Sequence, residues 1–148
     1  DFLTDWSKAE KEERARYLLD KVNVKDSEDK YPDELSGGMQ KRVGIARAIA
    51  LNPTFLFCDE PNSGLDPETA IVIDHLISSL TKELGITTIM NTHDLNSIME
   101  IGDNIGFLYK GEIIWQGDRH SILSAECPQL REFLCSNTLA RNIIEKSR

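Results

Sequence analysis

Two adjacent carboxylates, Asp59 and Glu60, close the apolar run Phe55-Leu56-Phe57-Cys58 and precede Pro61. Such a run, free of polar alternation, predicts a central parallel strand covered on both faces. Open α/β sheets place ligands where strands of this kind end, because strand ends and helix termini converge there. Consecutive side chains on extended backbone point in different directions. One carboxylate can therefore hold a metal ion's hydration shell while the other polarises an attacking water. A solvated strand end is the alternative, and the apolar run together with Pro61 weighs against ordinary surface exposure.

Ser36-Gly37-Gly38 stands directly before a second candidate site element, a helix rich in alanine. A hydroxyl, unobstructed backbone N–H groups and the positive helix end together suit an anionic phosphate, and a plain helix cap is the other reading. Asp66 is a good cap for the next helix, and the loop Asn62-Ser63-Gly64-Leu65 before it can also face a neighbouring subunit. His93, between Thr92 and Asp94 after a second β-rich run, can sense or stabilise phosphate charge from the same sheet edge. His75 and His120 lack such company. Cys127 and Cys135 have no paired ligands nearby, so no metal is assigned beyond a nucleotide-bound ion.

These residues require a particular set of elements. Ser7 and Glu10 have the capping-box spacing, and Tyr17, Leu18 and Val22 recur at helical intervals, predicting an amphipathic helix over 7–22. A polar stretch from Lys25 to Glu34 leads to Leu35-Ser36-Gly37-Gly38 and a helix over Met39–Leu51, which Asn52-Pro53 stops. The strand of Phe55–Cys58 follows. Asp66-Pro67-Glu68 starts a helix whose stripe is Val72, Leu76, Ile77, Leu80 and Leu84, with Gly85 as its stop. Ile86–Asn91 is β-rich, and Leu95, Ile98 and Met99 suit a short helix. Asn104–Tyr109 and Glu112–Gln116 flank Lys110-Gly111, a tight hairpin expected to close the sheet's edge. Residues 119–135 read as helical, and 136–148 as a docked helix or a frayed tail. Strand and helix alternate, as in an α/β sheet.

Composition narrows the classes. The 148 residues make up one ordinary domain or a large part of one. Seventeen basic against 25 acidic side chains leave a net charge of −8, which disfavours a nucleic-acid surface. Apolar runs fall far short of the roughly 20 residues of a bilayer span, so direct membrane insertion is not expected. Three cysteines without CxxC spacing fit free thiols in a reducing, cytosolic compartment. No signal peptide is visible at Asp1-Phe2-Leu3-Thr4-Asp5.

Taken in order, Leu35-Ser36-Gly37-Gly38-Met39-Gln40, Phe55-Leu56-Phe57-Cys58-Asp59-Glu60-Pro61, Ser63-Gly64-Leu65-Asp66 and Thr92-His93-Asp94 resemble the nucleotide-binding subunits of ATP-binding-cassette transporters. They match, respectively, the signature, Walker B with its glutamate, the D-loop and the switch histidine, and the correspondence spans about residues 7 to 117. The resemblance implies an α/β fold: a P-loop NTPase-like, mostly parallel sheet flanked by helices, with part of the helical signature subdomain. By motif, residues 1–52 would belong to that subdomain, 53–118 to the catalytic core and 119–148 to C-terminal helices and tail.

The resemblance further implies an ATPase using ATP and Mg2+, in which Asp59 holds the magnesium through water, Glu60 orients or deprotonates the attacking water, and His93 contacts the γ-phosphate. Ser36, Gly37 and Gly38, with Gln40 in the same nucleotide-binding set, would meet the γ-phosphate of ATP held by a second nucleotide-binding subunit. Ser63 and Asp66 would communicate across that head-to-tail dimer. A transmembrane permease subunit is the implied membrane partner, placing the protein in the cytoplasm, peripheral to the inner membrane, with no nucleic-acid partner. A non-transport cassette acting on ribosomes or DNA, or a regulatory cassette without turnover, is the competing expectation. Met39 and Asn62 depart from the commoner Gln and Thr of the family.

No G-x-x-x-x-G-K-[ST] occurs in the chain, and without that loop the β- and γ-phosphates lose their main cradle. The Walker A portion, the Q-loop and the adenine-stacking aromatic are therefore expected in a preceding stretch. The chain alone is expected to bind MgATP weakly and hydrolyse it negligibly. The flavour of Leu35–Ala50 and of Leu130-Arg131-Glu132-Phe133-Leu134 resembles bacterial phospholipid-trafficking ATPases of the lipid-asymmetry maintenance group.

Overall fold

A computed structural model describes residues 4–136, which gather into two compact units that part between Asn91 and Thr92. Within the first unit, the helix that follows Ser36 packs onto the helix that follows Asp66.

In the first unit, α1 (Lys8–Lys21) starts at a capping box: the Ser7 hydroxyl accepts from the Glu10 amide, and the Glu10 carboxylate accepts from the Ser7 amide at 2.7 Å. Leu18, Val22 and Val24 carry its buried side. Arg14 then ties α1 to the end of the next helix, donating to the carbonyls of Ala50 and Ile49 and to Asn52 Oδ1. That helix, α2 (Gly37–Ala48), begins two residues before the expected Met39, because Ser36 accepts from the Met39 amide and so caps the two glycines into the first turn. Ile45, Ala46 and Ile49 face its core.

Strand β1 (Phe55–Asp59) pairs in parallel with β2 (Thr87–Asn91), with Leu56 opposite Thr88 and Asp59 opposite Asn91. Between them runs α3 (Pro67–Leu84), capped by Asp66 and ended by Gly85, whose φ of +62° is the left-handed conformation that a glycine adopts without strain. The buried row of α3 is Ile73, Leu76, Ile77 and Leu80, joined by Asp74; Val72, expected in the stripe, is exposed because it lies one helical step off that row. Ile49, Leu56, Ile73, Ile77 and Ile86 belong to one apolar cluster.

The strand differs from the expectation in one respect. Leu56 and Cys58 turn toward the core, whereas Phe55, Phe57 and Ile89 on the other face are exposed among the described residues. Side chains alternate along a strand, so helices packed on one side cover only half of them.

The second unit holds α4 (Leu95–Ile101), β3 (Ile105–Tyr109), β4 (Glu112–Gly117) and α5 (Pro128–Ser136). The hairpin turns at Lys110 and Gly111, both with positive φ, as a two-residue turn between twisted strands requires. Its strands pair only with each other among the described residues, so the expected closure of the parallel sheet's edge is not seen. The continuous helix expected over 119–135 is also broken. Asp118 closes a turn by accepting from the amides of His120 and Ser121, a short 3-10 turn covers Ile122–Ser124, and Pro128 opens α5 at its first position. Leu130 and Leu134 of α5 join Leu95, Ile122 and Ala125 in this unit's own core. The tail expected over 136–148 lies outside the described residues beyond Ser136.

Candidate functional site

The parallel register sets Asp59 and Asn91 side by side at the carboxyl ends of their strands. Asn91 Nδ2 donates to Asp59 Oδ1 at 2.7 Å, and the Asn91 carbonyl accepts from the Glu60 amide at 2.9 Å. One residue of β2 thus holds the Asp59 carboxylate and the Glu60 backbone. Sequence reasoning passed over Asn91; the signal was an amide side chain at a strand end, level with Asp59 once the strands pair. Glu60 itself adopts φ +46°, which turns the chain out of the strand. Its carbonyl receives the Ser63 amide at 3.2 Å and Lys41 Nζ at 3.4 Å, so α2 reaches into this turn.

The turn continues through buried Pro61 and Asn62 to exposed Ser63 and Gly64. Asp66 then caps α3: Oδ1 accepts from the Thr69 amide at 3.0 Å and Oδ2 from the Thr69 hydroxyl at 2.6 Å. The Thr69 hydroxyl and amide hold the Asp66 carboxyl below its ordinary range.

This loop and the start of α2 enclose a cleft of about 330 Å³, lined by Ser36, Gly37, Gly38, Arg42, Asp66 and Thr69 among others. Two signature glycines leave the backbone bare at its mouth. A Cβ on Gly38 would stand 2.8 Å from the Thr69 methyl, so that position admits only glycine without a shift. First-turn amides and the positive end of a twelve-residue helix form a wall suited to a phosphate; Arg42, whose Nη1 donates to the Asn23 carbonyl, lines the cleft as well, as does the Asp66 carboxylate. The Ser36 hydroxyl serves as the cap as well, so its structural and binding readings coexist. Gln40 is turned back: its amide donates to the carbonyls of Pro32 and Leu35 at 3.0 and 3.1 Å, bracing the turn before the signature.

His93 belongs to the second unit, exposed in the segment before α4, where Asp94 caps that helix by accepting from the Asn96 amide. The first unit therefore brings together Asp59 and Glu60 at one strand end, and Ser36, Gly37, Gly38 and Asp66 around one cleft, with Ser63 in the loop joining the two.

The donor set fits a hydrated hard cation. Asp59 is an exposed carboxylate with one oxygen engaged by Asn91, and among the described residues no three His, Cys, Asp or Glu side chains gather as a protein cage. Mg2+ keeps several waters and takes one or two carboxylates plus substrate phosphates, so such a cage is not what it needs. Among the described residues no helix is long and apolar enough to cross a membrane.

Residues 2–63 match the family described as ABC transporter. The chain is 45% identical over 122 residues to the methionine import ATP-binding protein MetN 1 of Shouchella clausii, covering 82% of this chain and 35% of that one. It is 38% identical over 116 residues to the probable ribonucleotide transport ATP-binding protein mkl of Mycobacterium leprae, covering 78% and 33%. The chain thus spans about a third of the length of these curated relatives. Neither relative's name refers to a phospholipid.

Among solved structures, the ADP conformation of MJ1267, an ATP-binding cassette of an ABC transporter, superposes with a TM-score of 0.77 at 29% identity, covering 92% of this chain and 55% of that one. A dimeric, post-hydrolysis cassette, MJ0796 bound to ADP and Pi, gives 0.68 at 34% identity, covering 79% and 50%. With the signature cleft and the acid-tipped parallel strand in place, the chain carries part of an ATP-binding cassette domain of the ABC transporter family.

Proposed function

We propose that this chain is the signature-bearing part of a transport ATPase, in which ATP binding and hydrolysis close and open a head-to-tail pair of cassettes and so drive a separate membrane permease. The observation that carries the reading is the shared loop: the residues after Glu60 run directly into the wall of the signature cleft, so one segment links the hydrolytic acids to a recess at a helix N-terminus.

In this reading Asp59, held by Asn91, would hold Mg2+ through its water shell, and the ion would supply charge neutralisation at the phosphates. Glu60 accepts a proton from the attacking water, its direction fixed by the left-handed turn and by the Asn91 carbonyl. His93 meets the γ-phosphate. Ser36, Gly37 and Gly38, backed by Gln40, receive the γ-phosphate of ATP held by the second cassette, and Ser63 and Asp66 lie on the surface between the two. The protein works at the cytoplasmic face of the membrane through its permease.

The relatives' names point to small polar cargo, methionine or a ribonucleotide. The phospholipid reading rests on the signature helix and Leu130–Leu134 alone, and neither relative's name adds to it.

The test is Glu60→Gln in the full-length cassette. An amide cannot accept the proton, so hydrolysis falls by about 10²–10⁴-fold while nucleotide binding stays. Phosphate release and labelled-nucleotide binding read the two, and retained turnover would refute the role of Glu60.

A further inference from the structure

Asp74 sits at 2% exposure in the buried row of α3, beside Ile73, Leu76 and Ile77, where periodicity calls for an apolar residue. A carboxylate taken out of water is unfavourable unless it is hydrogen-bonded. One of its partners is Asn62, itself 6% exposed, whose Nδ2 lies 3.3 and 3.4 Å from the two carboxylate oxygens. Asn62 is two residues after Glu60 and opens the stretch that leads to Ser63 and Gly64. Its own carbonyl accepts from the Leu65 amide, and the Glu60 carbonyl accepts from the Ser63 amide. The amide of Asn62 is therefore the point at which the buried face of α3 grips a turn that starts from a non-glycine residue at positive φ.

We propose that Asp74 and Asn62 are a buried positioning pair that holds the 60–65 turn, and through it the direction of Glu60 and the wall of the signature cleft. Neither residue lines the signature cleft. The pair acts through the backbone, together with Lys41 reaching the Glu60 carbonyl from α2. The proposal rests on the hydrolytic role given to Glu60 above.

The pair can be inverted, which supplies the test in the full-length cassette. Asn62→Asp sets carboxylate against carboxylate. The double variant Asn62→Asp with Asp74→Asn restores an amide facing a carboxylate with the roles exchanged. For Asn62→Asp, kcat is expected to fall about tenfold or more, since small misplacements of a catalytic group have effects of that size, while KM for ATP stays within about twofold. The inverted pair recovers most of the loss.

Amide hydrogen exchange over residues 60–66 is followed in the same proteins, with faster exchange expected in Asn62→Asp and near-normal exchange in the inverted pair. If Asn62→Asp does not fold, Asn62→Ala, Asp74→Ala and their double variant take its place, and non-additive effects on kcat and loop exchange are expected. An inverted pair no better than Asn62→Asp, or strictly additive alanine effects, overturns the proposal. A wild-type cassette without ATPase activity would sink the functional reading alone, because loop exchange still tests the pair.

Discussion

Gly38→Ala isolates the close approach between the signature turn and α3. The added Cβ would lie 2.8 Å from the Thr69 methyl, well inside ordinary contact. Thr69 cannot simply rotate away, since its hydroxyl is committed to Asp66 Oδ2 at 2.6 Å and β-branched side chains are stiff at χ1. Overpacking of this kind costs about 1–3 kcal/mol, against about 0.5–1 kcal/mol gained by replacing glycine inside a helix. The net expectation is a loss of about 1 kcal/mol, read as a lower urea midpoint at unchanged slope. Thr69→Ser deletes the offending methyl and keeps the hydroxyl, so Gly38→Ala with Thr69→Ser should return most of that stability. A Gly38→Ala protein as stable as the parent, or no recovery in the double variant, would refute the steric argument.

Gly85→Ala meets nothing within 4 Å, so its effect comes from the +62° backbone alone: a loss of about 1–2 kcal/mol by denaturant unfolding, with Gly85→Asn milder. The Asp66 carboxyl is held below its ordinary value of 3.8 by Thr69, so the stability it contributes is present above that value and fades as pH falls through the lowered one. Asp66→Asn keeps a good cap without a titrating group. The wild-type advantage over Asp66→Asn should shrink between about pH 5 and pH 3 in urea titrations, and a constant gap would remove the charge from the account.

Caps and turn residues were legible because their chemistry is local. Ser7 with Glu10, Asp66-Pro67, Gly85 and Lys110-Gly111 each satisfy backbone demands within a few residues, and each stands where the sequence implies. Asp59 and Glu60 were legible as the polar end of an apolar run. What remained hidden depends on partners far along the chain. Asn91 becomes a site residue only when β1 and β2 pair in register, and Asp74 reads as a break in a helical stripe until Asn62 is brought beside it. The exposed face of Phe55, Phe57 and Ile89 was hidden for a related reason: an apolar run does not say how many of its faces are covered. Likewise, the stretch 119–135 has helical composition, but Pro128 suits only the first turn of a helix and divides it.

Arg14 has a consequence for the order in which this unit comes apart. Its guanidinium satisfies the Ala50 carbonyl just past the end of α2 and adds a second bond to the Ile49 carbonyl, which the Asn52 amide also engages, and it does so from a helix 35 residues earlier. Fraying of α1 therefore strips the end of α2 of its cap at the same moment. The two helices are expected to open together, which amide hydrogen exchange over α1 and the end of α2 would read.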